Sequence, residues 1–126
     1  MNTERFKCFT AKKIKLIEGG EKKVIGLPTG WNNLNDTVIT EGHKVLCIRT
    51  GELNNITVVD FDSVEAYDKA IKKYPELSQY FTIKTPRGYH IYGKYTESLK
   101  TSTDKKRKID VRNDGAFVFG AGSIRE

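Results

Sequence analysis

Apolar residues never run far in this chain. They gather in short stretches such as Val45-Leu46-Cys47-Ile48 and Ile56-Thr57-Val58-Val59-Asp60-Phe61, and polar or glycine-containing segments stop each one. Runs of this length suit buried strands. A chain built on them folds around several short strands, and 126 residues fit one small domain. No run approaches the roughly 20 apolar residues of a membrane span, and Glu4 and Arg5 fall where a signal peptide would carry its apolar region. Neither membrane insertion nor secretion is expected. Two cysteines, Cys8 and Cys47, are too few for a disulfide framework and make no zinc pattern. They read as small buried hydrophobes in a reducing, intracellular compartment.

The other segments add a helix and further strands. Phe6 to Ile17 mixes β-formers with lysines, and Glu18-Gly19-Gly20-Glu21 and Gly26-Leu27-Pro28-Thr29-Gly30 break the chain. Val64, Tyr67, Ala70, Ile71 and Tyr74 recur at the three-and-four spacing of one helix face, with Ser63 placed to cap the start and Pro75 closing the end. Tyr80 to Ile83 and Tyr89 to Tyr95 predict a strand pair around Thr85-Pro86-Arg87-Gly88. Thr96 to Lys108 is polar and basic and predicts a loop. Ile109 to Val111 and Ala116 to Phe119 predict a last pair across Asn113-Asp114-Gly115, a hairpin-type turn. No internal repeat is present.

Strand alternation sorts the polar residues. Asp60 and Asp62 share one face while Val59 and Phe61 point to the other. His90 lies opposite Tyr89 and Ile91, and Asp110 and Arg112 lie opposite Ile109 and Val111. If these strands neighbour one another, Asp60, Asp62, Asp110 and His90 converge. Carboxylates so close repel unless a cation lies between them. Mg²⁺ or Mn²⁺ suits such oxygen ligands, and three carboxylates can hold the two ions of in-line phosphoryl or nucleotidyl transfer. Read structurally, Asp62 would instead serve the N-terminus of the following helix. His90 beside a metal site would donate to a phosphate oxygen. Gly88 would let a phosphate approach the backbone, or simply form a turn. Arg49, at a strand end, can pair with a triphosphate, and Arg112 can bind a phosphate or pair with Asp110. Gly120-Ala121-Gly122-Ser123 would wrap a phosphate or turn the chain. The balance of 22 Lys and Arg against 16 Asp and Glu, a net +6, favours a polyanionic partner, and the Lys105-Lys106-Arg107-Lys108 run suits a nucleic-acid backbone.

Taken in order, these motifs resemble the archaeo-eukaryotic primase superfamily, in its bifunctional primase-polymerase branch from replication proteins of viruses, phages and plasmids. The resemblance spans roughly Gly30 to Ser123. Gly30-Trp31 is similar to the family's opening motif, and Arg49-Thr50-Gly51 to the segment before motif one. Val58-Val59-Asp60-Phe61-Asp62 is similar to motif one, Thr85 to Tyr92 to motif two with its histidine, and Ile109 to Gly115 to motif three. Gly120 to Ser123 is similar to the segment that follows. Two departures stand out. Arg87-Gly88-Tyr89-His90 lacks the serine and paired glycines of many relatives, and Gly120 to Ser123 lacks the usual proline.

The resemblance implies an α+β fold: a primase-polymerase catalytic core with an RRM-like antiparallel sheet, a small N-terminal α/β unit, and the active site in the cleft between them. Residues 1–126 then form a single primase-polymerase-like domain, a piece from the N-terminal part of a longer primase-helicase. It implies that Asp60, Asp62 and Asp110 are catalytic and hold Mg²⁺ or Mn²⁺, and that His90, Arg49 and Arg112 contact the nucleotide. The implied partners are a single-stranded DNA template, nucleoside triphosphates and a helicase domain in the same parent chain. The implied location is the cytoplasm, or the host cell for a viral protein. Two other functions fit the same residues: a catalytically inactive RRM-like module that binds single strands through aromatics and lysines, and a metal-dependent nuclease.

Overall fold

The computed structural model describes residues 6–16 and 22–120. Within them the chain forms β1 (Cys8–Ala11), β2 (Lys13–Leu16), β3 (Lys22–Ile25), β4 (Val45–Arg49), β5 (Ile56–Phe61), α1 (Val64–Lys73), β6 (Phe81–Lys84), β7 (Tyr89–Lys94), β8 (Ser102–Asp104), β9 (Ile109–Arg112) and β10 (Phe117–Phe119). Strands dominate, as short β-branched and aromatic runs dictate. Among the described residues no helix is long and apolar enough to cross a membrane. The expected breaks at Glu18 to Glu21 and Ala121 to Ser123 lie outside the described residues.

The chain divides into two compact units, residues 1–49 with 117–126 and residues 50–116. In the first, β4 is the middle strand of an antiparallel sheet ordered β1-β4-β10, beside a β2–β3 hairpin. Phe9, Ala11, Ile14, Val45 and Cys47 are its buried centre. Rings close over them: Trp31 meets Phe9 with centroids 5.8 Å apart and Phe117 edge-on at 5.0 Å. Both cysteines are buried and free, as expected. Burial, with Cys8 nearby, pushes the Cys47 thiol up to about 12. Where an α/β unit was expected, the described residues of this unit hold strands and a single-turn 3₁₀ helix at Trp31–Asn33, with no α-helix. Gly30 and Pro28 punctuate the one segment with room for a helix, between β3 and β4.

The second unit is a five-stranded antiparallel sheet ordered β6-β7-β5-β9-β8. β5 leads through α1 to β6, which runs parallel to β5 with β7 between them. The Ser63 hydroxyl accepts from the Ala66 N–H at 2.9 Å and caps α1 as expected. Tyr67 carries the helix onto the sheet, stacking on Tyr89 at 4.1 Å and meeting Phe61 edge-on. Val64 and Tyr74, expected on the buried face, are 42% and 48% exposed, because they stand at and beyond the helix ends.

Two expectations fail. Thr96 to Lys108 is not wholly a loop, since Ser102–Asp104 pairs with β9. Nor do Ile109–Val111 and Ala116–Phe119 form a hairpin: β9 pairs with β5 and β8, whereas β10 pairs with β4. Asn113 explains the separation. Fully buried, it accepts from the Thr57 hydroxyl at 2.9 Å and donates from Nδ2 to the Thr96 and Leu99 carbonyls. Its carbonyl accepts from the Thr50 hydroxyl at 2.6 Å, and its N–H donates to the Thr101 hydroxyl at 3.0 Å. A residue bonded on every side locks the end of β9 to its own unit.

Candidate active site

β5 sits between β7 and β9, and the register places Asp60 directly opposite His90 on one side and Asp110 on the other. On this face the next row holds Tyr92, Val58 and Arg112 across the same three strands. The opposite face, with Phe61 and Tyr89, packs under α1. Alternation alone therefore separates a chemical face from a packing face.

His90 is buried, with Nε2 3.3 Å from the Asp60 carboxylate. Arg112 Nη2 donates to Asp110 Oδ2 at 3.1 Å. Asp62 follows the end of β5, and its carboxylate lies 3.5 Å from the Arg87 guanidinium. Burial pushes the Asp110 carboxyl above its ordinary range; Arg112 pulls it back, and the charges of Asp60 and Asp62 push it further up. Directly opposed like charges destabilise a sheet, and Asp60 and Asp110 stand directly opposite each other. An all-oxygen donor set under that strain fits Mg²⁺ or Mn²⁺. The carboxylates are turned to His90, Arg87 and Arg112, however, and among the described residues no three acidic, His or Cys side chains are gathered closely enough to hold an ion.

Arg49, expected at the nucleotide, already has partners in its own chain. It belongs to the first unit and is buried there, its guanidinium donating to the carbonyls of Trp31, Asn32 and Leu34 at 2.6–3.0 Å. Burial lowers its pKa. Of the two readings offered for Gly88, the structure supports the turn. A Cβ there would run into the Phe61 carbonyl oxygen, so the glycine lets the β6–β7 turn close against the end of β5. Of the Gly120 to Ser123 segment only Gly120 is described.

Two residues gain importance that the sequence did not give them. Arg87 is the partner of Asp62, which spacing alone could not show. Tyr92 shares the face of His90 by alternation, a signal present in the sequence. Its hydroxyl is buried with no hydrogen-bond partner among the described residues, and burial and the Asp60 charge push it up to about 12.

No curated protein matches the chain. Residues 20–126 match the family model of the bifunctional DNA primase/polymerase N-terminal domain. A match over that much of the sequence makes this chain a member of the bifunctional DNA primase/polymerase (Prim-Pol) family.

Proposed function

We propose that the chain carries the catalytic face of a template-directed DNA primase/polymerase, which joins a nucleotide to a 3′-hydroxyl and releases pyrophosphate. The observation that carries this reading is the register that sets Asp60 between His90 and Asp110. The strand order β6-β7-β5-β9, with α1 linking β5 to β6, supports an RRM-like description of the sheet. Asp60, Asp62 and Asp110 would hold Mg²⁺ or Mn²⁺, which when bound neutralises phosphate charge and activates the attacking hydroxyl. His90 presents a ring N–H donor beside Asp60, suited to a phosphate oxygen of the incoming nucleotide. Arg112 keeps Asp110 oriented and offers its remaining donors to the same phosphates. Val58, fully buried in the adjacent row of the same face, gives the carboxylates an apolar neighbour on that side.

The test is primer extension with a labelled single strand, deoxynucleotides and Mn²⁺. The Asp60→Ala/Asp62→Ala variant is expected to lose incorporation by about a thousandfold or more, matching several kcal/mol of transition-state stabilisation. Unchanged incorporation by the double variant overturns the reading. Shortening of the strand would identify a nuclease. Binding that survives chelation, with no turnover, would identify a single-strand-binding module.

A further inference from the structure

Two turns leave the five-stranded sheet at the same end. β6 passes into β7 through Thr85 to Gly88, and β8 passes into β9 through Lys105 to Lys108. Because Tyr89 and Ile109 both pair with Phe61, both turns emerge where β5 finishes. Arg87 lies in the first turn, and the second is Lys105-Lys106-Arg107-Lys108. Lys84, just before the first turn, is turned to the packing face, its Nζ donating to the Thr85 carbonyl at 2.7 Å and lying over the Tyr89 ring. Asp62 ties the two together: its N–H donates to the Lys108 carbonyl at 2.8 Å while its carboxylate faces Arg87. The acidic groups at this end include Asp62, Asp104 and Glu65, with Asp60 and Asp110 one row further back on the sheet. Asp104 holds Arg107, accepting from its N–H at 3.0 Å, and Glu65 pairs with Lys69 at 3.3 Å. Lys105, Lys106 and Lys108 are exposed, and no carboxylate among the described residues lies within ion-pair distance of them.

We propose that these two basic turns grip the phosphate backbone of a single DNA strand beside the carboxylate face. This rests on the DNA-directed reading above and adds where the strand is held. Spacing favours a strand over a lone nucleotide. The turns stand three strand-spacings apart, about 14 Å at ~4.8 Å per strand. A stacked strand advances ~3.4 Å per nucleotide and so presents several phosphates over that span. One triphosphate tail is too short to reach both turns.

The test uses the full chain and a fluorescently labelled single-stranded oligonucleotide, titrated by anisotropy in EDTA over a salt series. Lys105→Gln/Lys106→Gln is expected to lower the slope of log affinity against log salt by about 1.4, and Arg87→Gln by about 0.7, at roughly 0.7 per lost phosphate contact on a single strand. Lys72→Gln/Lys73→Gln, at the far end of α1, removes the same charge as the double variant and should leave the slope unchanged. Three results overturn the grip: wild-type slopes in both turn variants, an equal loss in the α1 control, or an equal loss of affinity for a nucleoside triphosphate alone. Thermal melts of these exposed-residue variants confirm that each is folded. Oligonucleotide binding without incorporation would sink the polymerase reading and leave the grip standing. Incorporation with unaltered slopes would do the reverse.

Discussion

Tyr92 shows what a single atom implies. A buried hydroxyl without a partner costs about 1–3 kcal/mol, and this one lies on the carboxylate face with the charge of Asp60 acting on it. Tyr92→Phe is therefore expected to unfold at higher denaturant, by roughly 1 kcal/mol. A less stable variant would mean that the hydroxyl has a partner in solution. Cys47 gives a second residue-level outcome. Its folded pKa, near 12, lies above the 9.0 of an ordinary thiol, so the fold favours the protonated form. That contribution is complete below about pH 9 and is lost as pH rises towards 12. Native protein at pH 8 should leave Cys47 unreacted with a thiol reagent, and denaturant should release it. That Asp60, His90 and Asp110 each stand opposite apolar neighbours on their own strands was legible in the sequence because alternation is a local rule; that the three strands lie side by side was not, because pairing is long-range. The Arg87–Asp62 pair was not, because a side-chain pairing across a turn depends on where that turn lands. The carbonyl partners of Arg49 were hidden for a similar reason: a strand-end arginine looks alike whether it meets a phosphate or three carbonyls of its own chain.

At the level of elements, the contact between Gly88 and β5 is the sharpest constraint. A methyl there would collide with the Phe61 carbonyl and crowd the Ser63 N–H, so Gly88→Ala should cost about 2 kcal/mol or more. It should also misplace Asp62, which is read as lost extension activity. Gly115, where an added Cβ meets nothing within 4 Å and φ is +76°, gives the comparison, since Gly115→Ala should cost only about 1 kcal/mol for its backbone conformation. Denaturant titration of both variants checks the difference. The local elements β4, β5, α1, β6 and β7 were readable from apolar runs, a cap and turn residues. The pairing of β10 with β4 was not. Phe117-Val118-Phe119 suits any apolar sheet edge, and the choice between partners is made by Asn113, five of whose hydrogen bonds join residues 12 to 63 positions away.

For the whole molecule, the order of the chain matters as much as its elements. The first unit is opened by β1 to β4, interrupted by residues 50–116, and completed by β10. The ring of Phe117 covers Trp31, the single tryptophan of the sequence. A chain ending at Ala116 should therefore lose that packing, with Trp31 emission shifted to the red, while residues 50–116 keep their own hydrogen-bonded sheet. Unshifted emission would show that the first unit stands without its last strand. The return of β10 also sets a schedule for synthesis. As the polypeptide leaves the ribosome, all five strands of the second sheet emerge before Phe117 does, whereas the Cys8 to Arg49 strands, although already out, must wait for one neighbour. The segment bearing the carboxylates is thus free to fold before the unit that encloses it in the chain is finished.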